Sequence, residues 1–456
     1  MSESKSMLRF FVIWVGELIS TIGSGLTAFV LGVYAFQITG QASSTALIVL
    51  LTFLPAFLLR PFGGVLADRW DRSMLMIIGS VGSAFGIGLI LLMMTNNSHH
   101  LSLLYPGLIL SSCFVAIQNP AFKASVTDYL SKDQYAKASG LVQLAGSAQF
   151  LIAPLLAGFL MAFVKVKYIL MLDLLSFVLS ALAVVMVRST IKQIAVQKTS
   201  VEQSHFIKEL VEGFKSITEN RGVFVLVLLV SLLLFYIGLI QALLAPMVLS
   251  FTDAKTLGTL QSVCGFGMLL SSILISMKKR KGNNVKILCV SMALMGLFFA
   301  FIGIMPNFWA VLIPGFLFFV ALPFSNSSLD VLIRQNISNE KQGRAWSLIS
   351  VLTYFGSMVA YACAGFLADH ICNPLFMPNG VLSHSLGQFF GVGKGRGIAF
   401  IFFIAGLLVI LLAILIYRSK SIHALETSDQ SDRENLNDNL RQLTRHEMEK
   451  VKCSGT

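Results

Sequence analysis

The sequence predicts an all-α integral membrane fold of twelve transmembrane helices in two six-helix pseudo-repeats, with both termini cytoplasmic. Three observations carry that expectation. Of 456 residues, 55% are hydrophobic and 12% charged, where a soluble domain carries about 25% charged residues. The mean hydropathy is +0.78. The apolar residues fall into twelve runs, each near the ~20 residues that cross a bilayer core. A shift of 207 residues lays one part of the chain on another without a gap.

The start, Met1 to Arg9, is mostly polar. The apolar run from Phe10 is long enough to span, so it reads as a retained first helix and not as a cleaved leader. The spans are expected at 10–37, 43–66, 74–95, 102–122, 136–163, 168–187, 223–250, 256–277, 285–305, 308–328, 342–369 and 398–417. Lys and Arg orient them. The loops after spans 2, 4, 6, 8 and 10 hold most of the basic residues, among them Arg69, Arg72, Lys132, Arg188, Lys278, Arg280 and Arg344. The other loops hold only Lys165, Lys167, Lys255, Lys394 and Arg396. The positive-inside rule then puts the richer face in the cytoplasm, in a multi-pass protein of a bacterial inner membrane.

The internal repeat matches spans 4–5 to spans 10–11. Asn119 falls on Asn326, Ser131 on Ser338, Lys137 on Arg344, and Ala157-Gly158-Phe159-Leu160 on Ala364-Gly365-Phe366-Leu367. Parallel halves of this kind are a transporter architecture. The expected division is 1–187 for the first half, 188–222 for a cytoplasmic linker, 223–417 for the second half and 418–456 for a cytoplasmic tail. The linker carries Phe206, Leu210, Phe214 and Ile217 at helical spacing with charges between, the pattern of an amphipathic interfacial helix.

Several classes are excluded. The net charge of +12 is spread over short loops, so it reads as topology and not as a nucleic-acid surface. The six cysteines show no metal spacing. There is no G-x-x-x-x-G-K-[ST] signature for a nucleotide and no nucleophile–base cluster. No cofactor, no metal and no enzyme activity are expected, and a monomer suffices.

The stretch Gly63-Gly64-Val65-Leu66-Ala67-Asp68-Arg69-Trp70-Asp71-Arg72-Ser73-Met74 packs four charges into the junction of spans 2 and 3. Gly63 and Gly64 would admit a close helix neighbour. Asp68 could face the positive N-terminus of another helix. The cluster reads either as a latch between rocking halves or as a solvated loop. It resembles the loop 2–3 signature of the major facilitator superfamily, G-x-L-a-D-r-x-G-r-[RK], with Gly64, Asp68, Arg69 and Arg72 matching and Asp71 in place of the second Gly. The form D-R-W-D-R is similar to a branch with macrolide-efflux proteins and enterobactin-type siderophore exporters. So is the loop with Gly365-Phe366-Leu367-Ala368-Asp369, Asn373-Pro374-Leu375-Phe376-Met377-Pro378-Asn379-Gly380 and Gly391-Val392-Gly393-Lys394-Gly395-Arg396-Gly397. The family's antiporters often carry a glycine-rich pattern in span 5. Here Pro154 and Gly158 keep it, while Gln149, Ala153 and Ala157 replace glycines.

Polar groups inside a membrane are costly and so mark candidate sites. Glu17 in span 1 leads, since a carboxyl in low dielectric can take and give a proton near neutral pH. It is a proton carrier, a binder of a cationic substrate, or a hydrogen-bonded interhelical carboxyl. The resemblance puts span 1 on the central cavity. Gln118, Asn119 and Asn326 are cavity-lining hydrogen-bonders or helix–helix glue, and Tyr34, Gln143, Gln149 and Gln241 share that choice. Lys123 and Asp330 hold equivalent places in the two halves, as a gate or as solvated charges. Asp173 and Asp369 read as structural. His99, His100, His370 and His384 are scattered.

The expected function is proton-coupled efflux of an amphipathic drug, macrolide or siderophore by alternating access. A proton-coupled importer, or a non-transporting receptor or scaffold, stands as the alternative.

Overall fold

The structure, a computed structural model, describes residues 6–95, 101–131, 134–189, 221–277, 283–336, 339–419 and 422. The linker helix and nearly all of the tail fall outside the described residues. Among the described residues, twelve helices are long and apolar enough to cross a membrane. They are α1 (Met7–Thr39), α2 (Ala42–Arg69), α3 (Arg72–Thr95), α4 (Tyr105–Tyr129), α5 (Tyr135–Met161) and α6 (Val166–Ser189), then α7 (Arg221–Leu249), α8 (Ala254–Met277), α9 (Asn284–Phe301), α10 (Phe308–Gln335), α11 (Asn339–Phe366) and α12 (Arg396–Arg418).

Local chemistry sets several of the boundaries. Gly40 closes α1 in the left-handed region at φ 65°. Asn283 and Asn307 cap α9 and α10, their side chains accepting from Lys286 N and Trp309 N. The ninth span ends at Phe301, four residues before its expected end at 305, because Gly303 turns the chain at φ 81°. Pro120, Pro154, Pro246, Pro314 and Pro323 lie inside helices, which membrane helices tolerate when neighbours satisfy the freed carbonyl groups.

Packing repeats across the two sets of six. α1 lies on α5 and α6, α2 on α4, and α3 on α4 and α6. Six helices later, α7 lies on α11 and α12, α8 on α10, and α9 on α10 and α12. The halves meet through α5 with α8 and through α2 with α11, an exchange that a two-fold axis along the membrane normal requires.

One expectation needed revision. The stretch 370–397 is more than a loop. α11 continues as a π-helical turn, Leu367–Cys372, and short helices follow at Asn373–Leu375 and Gly387–Phe390. Phe376 and Phe390 are buried there and stack edge-on at 5.9 Å, with Phe400 of α12 5.7 Å from Phe390. This small cap sits at the face away from Arg69, Arg72 and Lys123. That face is called the opposite face below, and the other the basic face.

Candidate functional site

At the opposite face the halves are joined. Asp369, in the π-helical turn of the second half, accepts from Ala42 N at 3.0 Å and Ser43 N at 2.7 Å. It therefore caps the N-terminus of α2 in the first half, satisfying orphan N–H groups and favourably placing charge on the helix dipole. A Cβ on Gly365 would lie 2.3 Å from Ser43 Cα, so only glycine permits this approach. Phe53 of α2 stacks on Tyr361 of α11 at 5.7 Å, and Phe57 tilts on Tyr354 at 6.2 Å. On the other seam, a Cβ at Gly258 would sit 2.2 Å from Pro154 O. Pro154 and Gly158, the remnants of the span 5 pattern, are thus buried in the α5–α8 crossing.

Toward the basic face the facing surfaces separate. A Cβ built on Gly64, Gly140 or Gly146 meets nothing within 4 Å. This corrects the packing expected of Gly64. Gly63 alone makes the close approach, to Ala116 O of α4 at 2.5 Å. Asn119, Gln143, Gln241 and Asn326 are exposed although they lie within spans.

Glu17 is buried, 5% exposed, and its Oε2 accepts from Gln118 Nε2 at 2.8 Å. Gln118 is 3% exposed and its Oε1 has no hydrogen-bond partner among the described residues. The carboxyl therefore faces α4 of its own half, one residue from the exposed Asn119. Gln241 accepts a short hydrogen bond from the buried Tyr361 hydroxyl. Tyr34 is half-buried and lines a separate cleft at the opposite face, away from the amides named above.

The charged junction braces the first half from within. Arg72 Nη1 meets Asp128 Oδ1 at 2.7 Å, Thr127 Oγ1 at 2.8 Å and Ala124 O at 2.9 Å, while its Nε donates to Ala67 O at 3.2 Å. Asp71 caps α3 through Met74 N and pairs with Arg188 of α6 at 3.2 Å. These bonds tie α2, α3, α4 and α6 together. Arg69 is exposed, and the Asp68 side chain lies outside the described residues. Lys123 is exposed and Asp330 half-buried; the two do not form an ion pair with each other among the described residues.

Asp173 is 1% exposed and accepts from Thr27 Oγ1 of α1 at 2.5 Å and from Ser176 Oγ at 3.2 Å. Lys165 and Lys167 play no part in those bonds.

Sequence reasoning missed Asp369 as a joint between halves, and it missed the aromatic seam. One signal was present: Gly64-Val65-Leu66-Ala67-Asp68 and Gly365-Phe366-Leu367-Ala368-Asp369 share the pattern G-x-L-A-D.

Comparison with known proteins agrees with this architecture. Residues 13–361 match the Major Facilitator Superfamily. Macrolide efflux protein A of Streptococcus pyogenes is 25% identical over 386 residues, 82% of this chain and 93% of that protein. Quinolone resistance protein NorA of Staphylococcus aureus (strain COL) is 22% identical over 382 residues, again 82% and 93%. Among solved structures, nucleoside transporter NupG superposes with a TM-score of 0.68 at 15% identity, over 91% of this chain and 100% of its own. A bacterial homologue of iron transporter ferroportin, in an inward-facing state, gives 0.65 at 17%, with 91% and 100% covered. With the match running from α1 into α11, the chain belongs to the Major Facilitator Superfamily and is a multi-pass membrane transporter of that family.

Proposed function

We propose that the protein exports an amphipathic small molecule in exchange for protons, from the cytoplasm of a bacterium across its inner membrane. The basic face is then cytoplasmic, and the arrangement is open to that side. The chain divides at 187 and 223 into two rocking halves, each cycle passing one monomer between two closures. The relatives named for macrolide efflux and quinolone resistance favour an amphipathic drug as cargo.

The observation that carries the proton reading is the Glu17–Gln118 pair. A buried carboxyl usually needs a cation or several donors. This one is held by a single neutral amide at 2.8 Å. That amide can serve both protonation states. Its N–H₂ donates to a carboxylate, and its unpartnered Oε1 is the acceptor for a carboxylic acid once the amide turns over. Asn119 stands beside it at the opening between the halves, where a proton or substrate enters. Asn326, Gln143 and Gln241 supply further amides to that space, since an amide facing lipid would go unsatisfied.

Asp369 and Asp68 are proposed as alternating latches. The pairs Ala42–Asp369, Ser43–Gly365 and Phe57–Tyr354 keep one antiparallel register between α2 and α11. Carried down to Asp68, that register meets the first turns of α11 near Gly343. Asp369 caps α2 when the opposite face is shut, and Asp68 caps α11 when the basic face is shut. Gly64, with open space beside it here, is where α11 would come close. Lys123 and Asp330 would approach in the same closure, and Arg69 would rim it.

The test is transport in proteoliposomes with and without an imposed proton gradient, on a panel of macrolides, quinolones, cationic dyes and iron-free siderophores. Gradient-driven movement in the wild type, lost in Glu17→Gln, is the expected result. Equal transport by Glu17→Gln and wild type would overturn the assignment of Glu17.

A further inference from the structure

Five basic residues stand in the loops of the opposite face, and three of them, Lys165, Lys167 and Lys255, meet in one cleft of about 680 Å³. We propose that this cleft binds the phosphate headgroup of an anionic phospholipid, which bridges the two halves at their closed end. Lys165 comes from the turn between α5 and α6, Lys167 from the first turn of α6, and Lys255 from the first turn of α8. The three therefore arrive from both sides of the α5–α8 seam. Convergence of most of a face's few cations, from loops some 90 residues apart in sequence, concentrates charge where the rest of that face has little.

The carboxylate lining the cleft is Asp253, and it is committed elsewhere. Its Oδ1 accepts from Thr256 N at 2.9 Å as the cap of α8, and that hydrogen bonding holds it below the usual carboxylate range. The lysines are left in excess by two charges. Lys167 Nζ lies 5.0 Å from the Tyr168 ring, an arrangement that leaves the ammonium beside the bilayer interface where such rings sit.

The remaining walls select a lipid over a soluble anion. Met94, Met161 and Val166 line the cleft. Phe163, at its rim, is 70% exposed and Tyr168 49% exposed. A free phosphate would use the lysines and leave these apolar surfaces in water. A diacyl phospholipid covers both, its phosphate on the lysines and its chains along the methionine and phenylalanine surface. Because it touches both halves, such a lipid favours the arrangement that is closed at this end. None of this depends on proton coupling.

The experiment is native mass spectrometry of the purified full chain, titrated with phosphatidylglycerol, phosphatidylethanolamine or glycerol 3-phosphate. Wild type and the control Lys394→Gln should retain phosphatidylglycerol. The triple variant Lys165→Gln/Lys167→Gln/Lys255→Gln should bind it about a hundredfold more weakly, at roughly fivefold per lysine. Phosphatidylethanolamine should bind more weakly than phosphatidylglycerol, and glycerol 3-phosphate should not displace it. If the triple variant is not recovered folded, Lys255→Glu alone should give at least the single-lysine loss. Unchanged phosphatidylglycerol binding in these variants, equal retention of the zwitterionic lipid, or displacement by glycerol 3-phosphate would each overturn the proposal.

Discussion

Glu17 and Asp173 are two buried carboxyls on neighbouring helices, and their surroundings give them different expected behaviour. Asp173 receives hydroxyl donors from Thr27 and Ser176. Asp173→Asn keeps a side-chain acceptor and should keep transport, whereas Asp173→Leu strands the buried Thr27 hydroxyl, Ser176 keeping the Asp173 carbonyl at 2.7 Å, and should cost about 1–3 kcal/mol, read as a lowered melting temperature in detergent. Glu17 has only Gln118, and Glu17→Gln should fold normally while uncoupling transport from the gradient. Arg72 is the residue whose loss should show first in stability. Arg72→Ala removes the Asp128 ion pair and three further acceptor contacts, a loss of about 2 kcal/mol visible as a melting shift with transport partly kept. At this scale the sequence showed which residues were out of place in lipid, Glu17 above all. It did not show what faced them, because Gln118 is 101 positions away and no periodicity links the two.

The seams are where single atoms control whole elements. α5 and α8 cross at Gly158 and Gly258, and a side chain at Gly258 would strike the Pro154 carbonyl at 2.2 Å. Gly258→Val should therefore prevent closure of the opposite face. In hydrogen–deuterium exchange, the ends of α5 and α8 should lose protection while α3 and α4 keep theirs. α2 depends on Asp369 for its cap, a contact worth about 1 kcal/mol. Asp369→Ala should speed exchange at Ala42 and Ser43. The helices themselves were plain from the sequence, since each apolar run is long enough to be read without neighbours. The cap at 370–397 was not, because it is held by scattered aromatics such as Phe376 and Phe390 in a stretch rich in glycine and proline, where no repeat of 3.6 residues survives. The G-x-L-A-D match at both ends of the α2–α11 pair was visible but without meaning until the register was known.

For the molecule as a whole, the two proposed latches would make the conformational balance a signed quantity. Asp369→Ala should shift the population about fivefold toward opening at the opposite face, and Asp68→Ala, by the proposed capping of α11, should shift it the other way, from a cap energy of about 1 kcal/mol each. Exchange measured at both faces separates this from local fraying. In a population shift, protection falls at Ala42–Ala46 and rises near Arg69 together, while fraying moves only the first. The double variant should return toward the wild-type balance.

The second G-x-L-A-D has a bearing on descent. The chain repeats with an offset of 207, yet the two copies of the pattern are 301 positions apart, from Gly64 to Gly365. The repeat that relates the two halves therefore does not lay one copy on the other. Each stands at the C-terminal end of its own helix in the α2–α11 pair. Selection acting on such a couple acts on both members at once, so related sequences that have lost one of the two aspartates should be found to have lost or replaced the other.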